Sequence, residues 1–253
     1  MENNLHNFTK VKNEIKEYAE LTSESIYVEG NVGENSIIEA ENLQVDGETL
    51  EDSTQFTRNA KINQHSGILR CHHADIQTLK NGEVHATTVN VANAFGGSIY
   101  AQDVTIDTID SNLNIYASNS ITVNLITGTN NTFKINYKDV PILNSKLDLI
   151  FEDLEDLEEE LQRALKHNLS IVSDIKMKIQ HLTMEKQSLH ESYKYASILI
   201  KEPATQDNKI IFTLSANTDI TYITQAKPYS KFHLNITPTT ITLSPTQTTI
   251  TLS

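Results

Sequence analysis

The chain predicts a mainly β fold with α: a single-stranded parallel β-helix, then an antiparallel coiled-coil hairpin, then a short C-terminal β segment. Three patterns carry this. Between Gly67 and Ile135 a short motif recurs every 15 to 17 residues: Leu69-Arg-Cys71, Val84-His-Ala86, Ile99-Tyr-Ala101 and Ile115-Tyr-Ala117. A second series keeps step with it: Ala74-Asp-Ile76, Val89-Asn-Val91, Val104-Thr-Ile106 and Ile121-Thr-Val123. From Leu147 the apolar spacing then changes from two to three and four, and after Pro203 it returns to β-branched runs. Alternation with a period of two places apolar residues on one strand face. A unit this short closes no core alone, so it stacks on its neighbours as a solenoid.

Taken in order, residues 1–25 are polar, and Val11, Ile15, Tyr18 and Leu21 have helical spacing. A short N-terminal helix is therefore expected before the β-helix. Residues 26–140 form the β-helix. Ile26-Tyr-Val28, Ile38-Glu-Ala40 and Leu43-Gln-Val45 read as its first, degenerate strands, and Ala60-Lys-Ile62 continues the second series. The polar stretch Glu51–Arg58 reads as an irregular coil or protruding loop. About seven coils fit between Ile26 and Ile135, a rod of roughly 30–35 Å at about 4.8 Å per coil. Corners carry the residues tight turns need, such as Asn81-Gly82, Gly96-Gly97 and Asp110-Ser-Asn112. A 15-residue step is not a multiple of six, which favours the right-handed helix over the left-handed hexapeptide form.

Residues 141–202 carry the seam Leu147, Ile150, Leu154, Leu157 and Leu161, and then Ile175, Ile179, Leu182, Leu189 and Tyr193. Either one long helix or a hairpin satisfies this spacing. Asn168 interrupts the seam, and Ser170 suits an N-cap. The first half holds the acidic run Glu152–Glu160, and the second half holds Lys176, Lys178, Lys186 and Lys194. Folding about Asn168–Leu169 sets unlike charges side by side, whereas a parallel dimer of one long helix faces the acidic run with its own copy. The hairpin is favoured. In residues 203–253, Ile210–Leu214, Ile220–Ile223 and Phe232–Ile236 read as strands, followed by the repeat Thr240–Ser244 and Thr249–Ser253. These are expected to cap the solenoid or lie beside the hairpin, because an uncapped end is a sticky edge.

A formal charge of −13 disfavours nucleic acid and anionic membranes as partners, since both call for a basic surface. The single Cys71 allows no internal disulfide. The first residues lack the basic and apolar regions of a signal peptide, and no run of 18 apolar residues occurs. A cytoplasmic protein without direct membrane insertion is expected. Cys71-His72-His73 with His85 is the one cluster suggesting a metal, but Cys71 points into the solenoid while His85 points out, so no metal is expected. The acidic run lacks the glycine and alternating acids of a calcium loop. Asp103, Asp107 and Asp110 fall in different strand positions, which argues against a carbohydrate-active enzyme. No phosphate-binding glycine loop is present, so neither nucleotide nor cofactor is expected. The stacked outward positions Arg70, His85, Tyr100 and Tyr116 are the candidate protein-docking ladder; the plainer reading is an exposed ladder held by cross-coil stacking.

Gly96-Gly-Ser-Ile-Tyr-Ala101, Asn114–Ile121 and Thr127-Gly-Thr-Asn-Asn131 leading into an acidic helix resemble the flagellar assembly protein A family, over roughly residues 26–240. The β-helix of that family is akin to that of bactofilins, bacterial cytoskeletal polymers that use no nucleotide. The chain lacks the family's usual N-terminal domain, and its coils are poorer in glycine. The resemblance implies a non-enzymatic scaffold acting through protein partners or self-association, at a cell pole or membrane-proximal assembly. A bactofilin-like filament subunit is the alternative, and a cytosolic β-helix enzyme acting on carbohydrate is a third.

Overall fold

The computed structural model describes residues 7–202, 204, 206–215, 218–224, 231–236 and 241–246. It is mainly β, with a parallel solenoid of about eight turns and a helical hairpin. At about 4.8 Å per turn the stem is roughly 38 Å long.

The solenoid starts earlier than expected. In place of an N-terminal helix, β1 (Phe8–Val11) pairs in parallel with β2 (Glu20–Val28), and Ile15 bridges Val32. Val11, Ile15, Tyr18 and Leu21 thus occupy a strand, a bridge, a corner and a second strand; their three-and-four spacing is a by-product of tight winding. β3 (Ile37–Thr49) and β4 (Thr54–His65) follow, and the expected irregular loop at Glu51–Arg58 is a brief turn leading straight into β4. That segment reads as irregular because its inward position, between Ile38 and Leu69 in the ladder, is filled by Gln55. β5 (Ile68–Arg70), β6 (His73–Lys80), β7 (Glu83–His85), β8 (Thr88–Phe95), β9 (Gly97–Ile109), β10 (Leu113–Ile126) and β11 (Thr132–Ile135) complete the regular turns.

Each turn has three faces, one more than the two-strand repeat suggests. On the first, Leu69, Val84, Ile99, Ile115 and Phe133 stack inward; on the second, Ala74, Val89, Val104 and Ile121 stack beside Ile76, Val91, Ile106 and Val123. The third is a narrow ladder with one inward residue per turn: Ile15, Val32, Thr49, His65, Leu79, Ala94, Ile109 and Ile126. All of these are buried, and apart from Thr49 and His65 they form one apolar column. The corner from the third face back to the first takes a left-handed residue at Tyr18, Asn35, Asp52, Asn81, Gly96, Asn112 and Asn130. Asn, Asp and Gly adopt that conformation most readily, which is why the corners are legible in the sequence.

Two small polar clusters interrupt the column. The Thr49 hydroxyl and His65 Nδ1 are 2.6 Å apart, and His65 Nε2 lies 3.2 Å from the Glu83 carbonyl. Gln55 Nε2 donates to Ser53 Oγ, and that hydroxyl donates to the Leu50 carbonyl. Burial holds His65 down to a pKa of about 4, so the ring is neutral, with Nε2–H donating and Nδ1 accepting from Thr49.

The chain then leaves the stem and returns to it. α1 (Pro141–His167) and α2 (Val172–His190) form the hairpin, and β12 (Ser197–Ile200) re-enters the solenoid. Ala117 pairs with Ile135, and Ser120 pairs with Ser197. Residues 136–196 therefore stand where the preceding turn has only Ser118-Asn119. The hairpin is an insertion at one corner of the last turn rather than a region between two β units. β13 (Lys209–Ser215) adds to β11 in parallel, and buried Asn131 donates to Asn208 Oδ1 at 2.8 Å to lock that junction. β14 (Thr218–Ile223) turns back antiparallel on β13, while β15 (Lys231–Ile236) pairs antiparallel with β12 and with β16 (Ile241–Thr246). The repeat segment Thr249–Ser253 lies outside the described residues. Among the described residues, no helix is long and apolar enough to cross a membrane.

Candidate functional site: the aromatic ladder and the root of the hairpin

The pairing places Arg70, His85, Tyr100 and Tyr116 on successive rungs of the first face, as expected, with Phe56 before them and Lys134 after. Side chains on adjacent parallel rungs project alike, so the rings stack. His85 and Tyr100 lie 4.7 Å apart with 7° between their planes, and Tyr100 and Tyr116 lie 4.9 Å apart with 5°. Arg70 and Phe56 are exposed, whereas His85, Tyr100 and Tyr116 are half-buried. The ladder is not the wholly open surface expected. The first turn of α1, through Pro141, Ile142 and Ser145, stands over its middle, leaving a cavity of about 180 Å³ against Arg70, Cys71, His85, Ala86 and Tyr100. Burial pushes the Tyr100 phenol above its ordinary pKa.

The exit from the stem is fixed by short-range bonds. Asn136 Oδ1 accepts from the Lys138 amide, and Asn136 Nδ2 donates to Asp139, which also pairs with Lys134 at 3.3 Å. Tyr137, Val140, Leu143 and Leu147 form a second small core with Leu189 packed against it. His190 meets the Tyr137 ring edge-on at 5.2 Å, joining the end of α2 to the exit turn. Burial raises the Tyr137 pKa.

Beyond this root the two helices stay together, with Lys146 Nζ 2.7 Å from Glu185 and Lys186 Nζ 3.7 Å from the Phe151 ring centre. The hydrogen bond from Lys146 lowers the Glu185 pKa. The turn falls at Asn168 and the single 3-10 turn Leu169–Ile171, as the charge pattern suggests. Two details differ. Ser170 does not cap α2; its hydroxyl donates to Asn168 Oδ1, and Ile171 holds the cap position. Among the described residues the acidic run makes no ion pair across to α2: Glu159 pairs with Arg163 on its own helix, and Lys186 lies on Phe151 instead. Of the seam, Leu147, Ile150 and Ile175 are buried, while Leu154, Leu157, Leu161, Ile179, Leu182 and Leu189 are half-buried. Two helices alone cannot enclose the whole seam. Tyr193 belongs to the 3-10 turn Ser192–Lys194 after α2, and its side chain lies outside the described residues. Leu149, Phe151, Leu165, Leu169, Met177 and Met184 are exposed.

The other sequence candidates do not converge. Cys71 is buried and burial pushes its thiol up to about 12, the behaviour of an inert core residue. No group of three or more His, Cys, Asp or Glu among the described residues is placed to hold a metal ion. Asp103 accepts from Asn119 and Ser120, Asp107 accepts from Asn124, and Asp110 stands beyond the third face. A concavity of about 600 Å³ lies on the second face between Gln44 and Asp107. Within it Asn90 donates to Asp75 and Gln44 to Asp46, to which the neighbouring Tyr27 also donates.

Comparison of the chain with family models, curated proteins and solved structures finds no match in any of the three.

Proposed function

We propose that the protein is a non-enzymatic scaffold in which a rigid solenoid stem carries a helical arm that docks a protein partner. The observation that carries this is the insertion at one corner: the arm occupies the place of Ser118-Asn119, and its root is tied to the stem while its far half keeps apolar side chains in solvent. Half-buried leucines along the seam favour coiled-coil packing completed by a third helix from the partner. The dispersal of Asp103, Asp107 and Asp110 around one turn supports a stem without catalysis. In this reading the antiparallel strands beyond β13 act as the stem's cap, and the stem winds right-handed, as the repeat length suggests.

The resemblance to the flagellar assembly protein A family supports a cytoplasmic scaffold near a cell pole or membrane assembly. A second reading, a bactofilin-like filament subunit, is favoured by the other end of the stem, where β1 is the terminal strand of the sheet among the described residues. Strand edges of that kind pair with other chains.

The test excises residues 136–196 and joins Ile135 to Ser197 through Ser-Asn, copying the preceding corner. The stem is expected to stay folded by circular dichroism, and proteins cross-linked to the full chain are expected to be lost. Light scattering across concentrations should return a constant mass near 28.4 kDa. Retention of every cross-linked partner by the excised variant refutes the docking arm. A mass that climbs with concentration in both proteins supports the filament instead.

A further inference from the structure

α1 carries a second stripe beside the seam it shares with α2. Phe151, Leu154, Glu158, Leu161 and Leu165 recur at steps of three and four, which places them along one helix face. Leu154 and Leu161 belong to both stripes and stay half-buried, while Phe151 and Leu165 at the two ends are 48% and 46% exposed. The contact of Lys186 with the Phe151 ring marks where α2 borders this second stripe. Seven-residue steps along both antiparallel helices from that contact set Ile179 beside Glu158 and Val172 beside Leu165, and both are half-buried. From Phe151 to Leu165 the helices thus make a groove about 21 Å long at 1.5 Å per residue. Its walls are apolar, with one carboxylate at the midpoint. Among the described residues Glu158 has no ion pair or hydrogen bond, and neither has Glu155 one turn earlier.

An apolar stripe left in water points to a covering partner, and Glu158 decides the chemistry of that partner. A helix laid in the groove takes the midpoint carboxylate out of water, which is strongly unfavourable unless the helix brings a cation to it. Ile179 supplies none. A second copy of the groove does not either. Glu158 lies midway between Phe151 and Leu165, so a copied stripe set against it in either direction brings Glu158 to Glu158. We propose that the groove takes an amphipathic helix of a different protein, with apolar a and d positions and a lysine or arginine at the central a position paired with Glu158. A single polar residue at a core position fixes register. The ion pair therefore selects the partner and its alignment, while the four apolar positions supply the contact. Glu155 extends the negative edge, so the cationic flank of the docked helix runs along α1 rather than beside Lys186. This names the chemistry of the partner and rests on the reading of the arm as a docking element.

The experiment titrates the full chain with three synthetic helical peptides of equal composition and net charge. The first has leucine or isoleucine at a and d positions and lysine at the central a position. The second exchanges that lysine with a glutamate from an outer position, and the third is a scramble that breaks the heptad. Calorimetry should show one site for the first peptide, with the other two at least about tenfold weaker. Glu158→Lys should invert the order of the first two, and Phe151→Ala should weaken the first, each with an unchanged circular dichroism spectrum. A first peptide that fails to bind overturns the proposal. Equal binding of the scramble overturns it too, because charge alone then explains the affinity. An order that Glu158→Lys leaves unchanged overturns it as well, because the cation then sits elsewhere. A parent chain whose mass doubles in light scattering, and returns to one chain in Phe151→Ala, places a second copy in the groove and also overturns it. Cross-linked partners lost on arm excision, together with failure of every peptide, keep the docking arm and overturn this groove alone, so the two proposals fail separately.

Discussion

Acidification from pH 7 to 4 tests the histidine inside the column. His65 is fully buried, bonded to Thr49 and to the Glu83 carbonyl, and its folded pKa is about 4 against an ordinary 6.5. Between those values the unfolded chain binds a proton that the folded chain refuses, so stability falls as pH falls through this window. Above 6.5 neither state carries the proton and the stabilisation is complete; below about 4 both carry it and the loss levels off. At about 1.4 kcal/mol per pKa step the loss comes to about 3 kcal/mol. Urea unfolding at half-unit pH steps measures it. Other histidines and carboxylates add their own slopes, so the decisive comparison is with Thr49→Val/His65→Leu. That pair continues the aliphatic ladder from Val32 to Leu79 and leaves no half of the polar pair behind. At pH 7 it should be as stable as the parent to within about 1 kcal/mol. The difference between the two proteins should open by about 3 kcal/mol toward pH 4. Parallel curves for parent and double variant would refute a neutral, buried His65.

Three further expectations concern the stem and its joint. Tyr18 is the one corner residue other than Asn, Asp or Gly with a left-handed φ, 59°, and it is 75% exposed. Tyr18→Asn should raise stability by about 1 kcal/mol, or about 2–4 °C in thermal unfolding. Val104→Asp sets an unpaired charge in the column and should cost more than about 4 kcal/mol; an unchanged melting temperature would mean that the column is not dry. Tyr137→Ala removes the ring that His190 and the small root core pack against. It should speed amide exchange in residues 141–147 well before it lowers the unfolding temperature of the stem.

Much of the stem was legible because its chemistry repeats. The first and second faces hold two or more inward residues per turn, so Leu69-Arg-Cys71 and Ala74-Asp-Ile76 announce themselves as alternating strands. The third face holds a single inward residue per turn, and the interior there runs through Thr49 and His65, so no apolar period marks it. The first turn was misread for a related reason. Ile15 is held by an isolated bridge and Tyr18 by an atypical corner, so nothing in their spacing separates a winding turn from a helix. The hairpin was visible in its heptad-like spacing, but its placement was not. Only the registers of Ile135 with Ala117 and Ser197 with Ser120 reveal that the chain resumes the same rung. The ladder of Arg70, His85, Tyr100 and Tyr116 followed from repeat alignment. Its burial did not, because the covering residues Pro141 and Ile142 lie beyond the repeat.

The corner insertion also decides how the molecule bears load. A pull on the tip of the hairpin reaches the stem through the end of β11 and the start of β12, both strands of a single rung. β11 is bonded on either side, to β10 and β13, and β12 is bonded to β10 and β15. Tension is therefore shared by neighbouring rungs rather than peeling a free end, so the hairpin should lose its own structure under force before the rung that anchors it gives way.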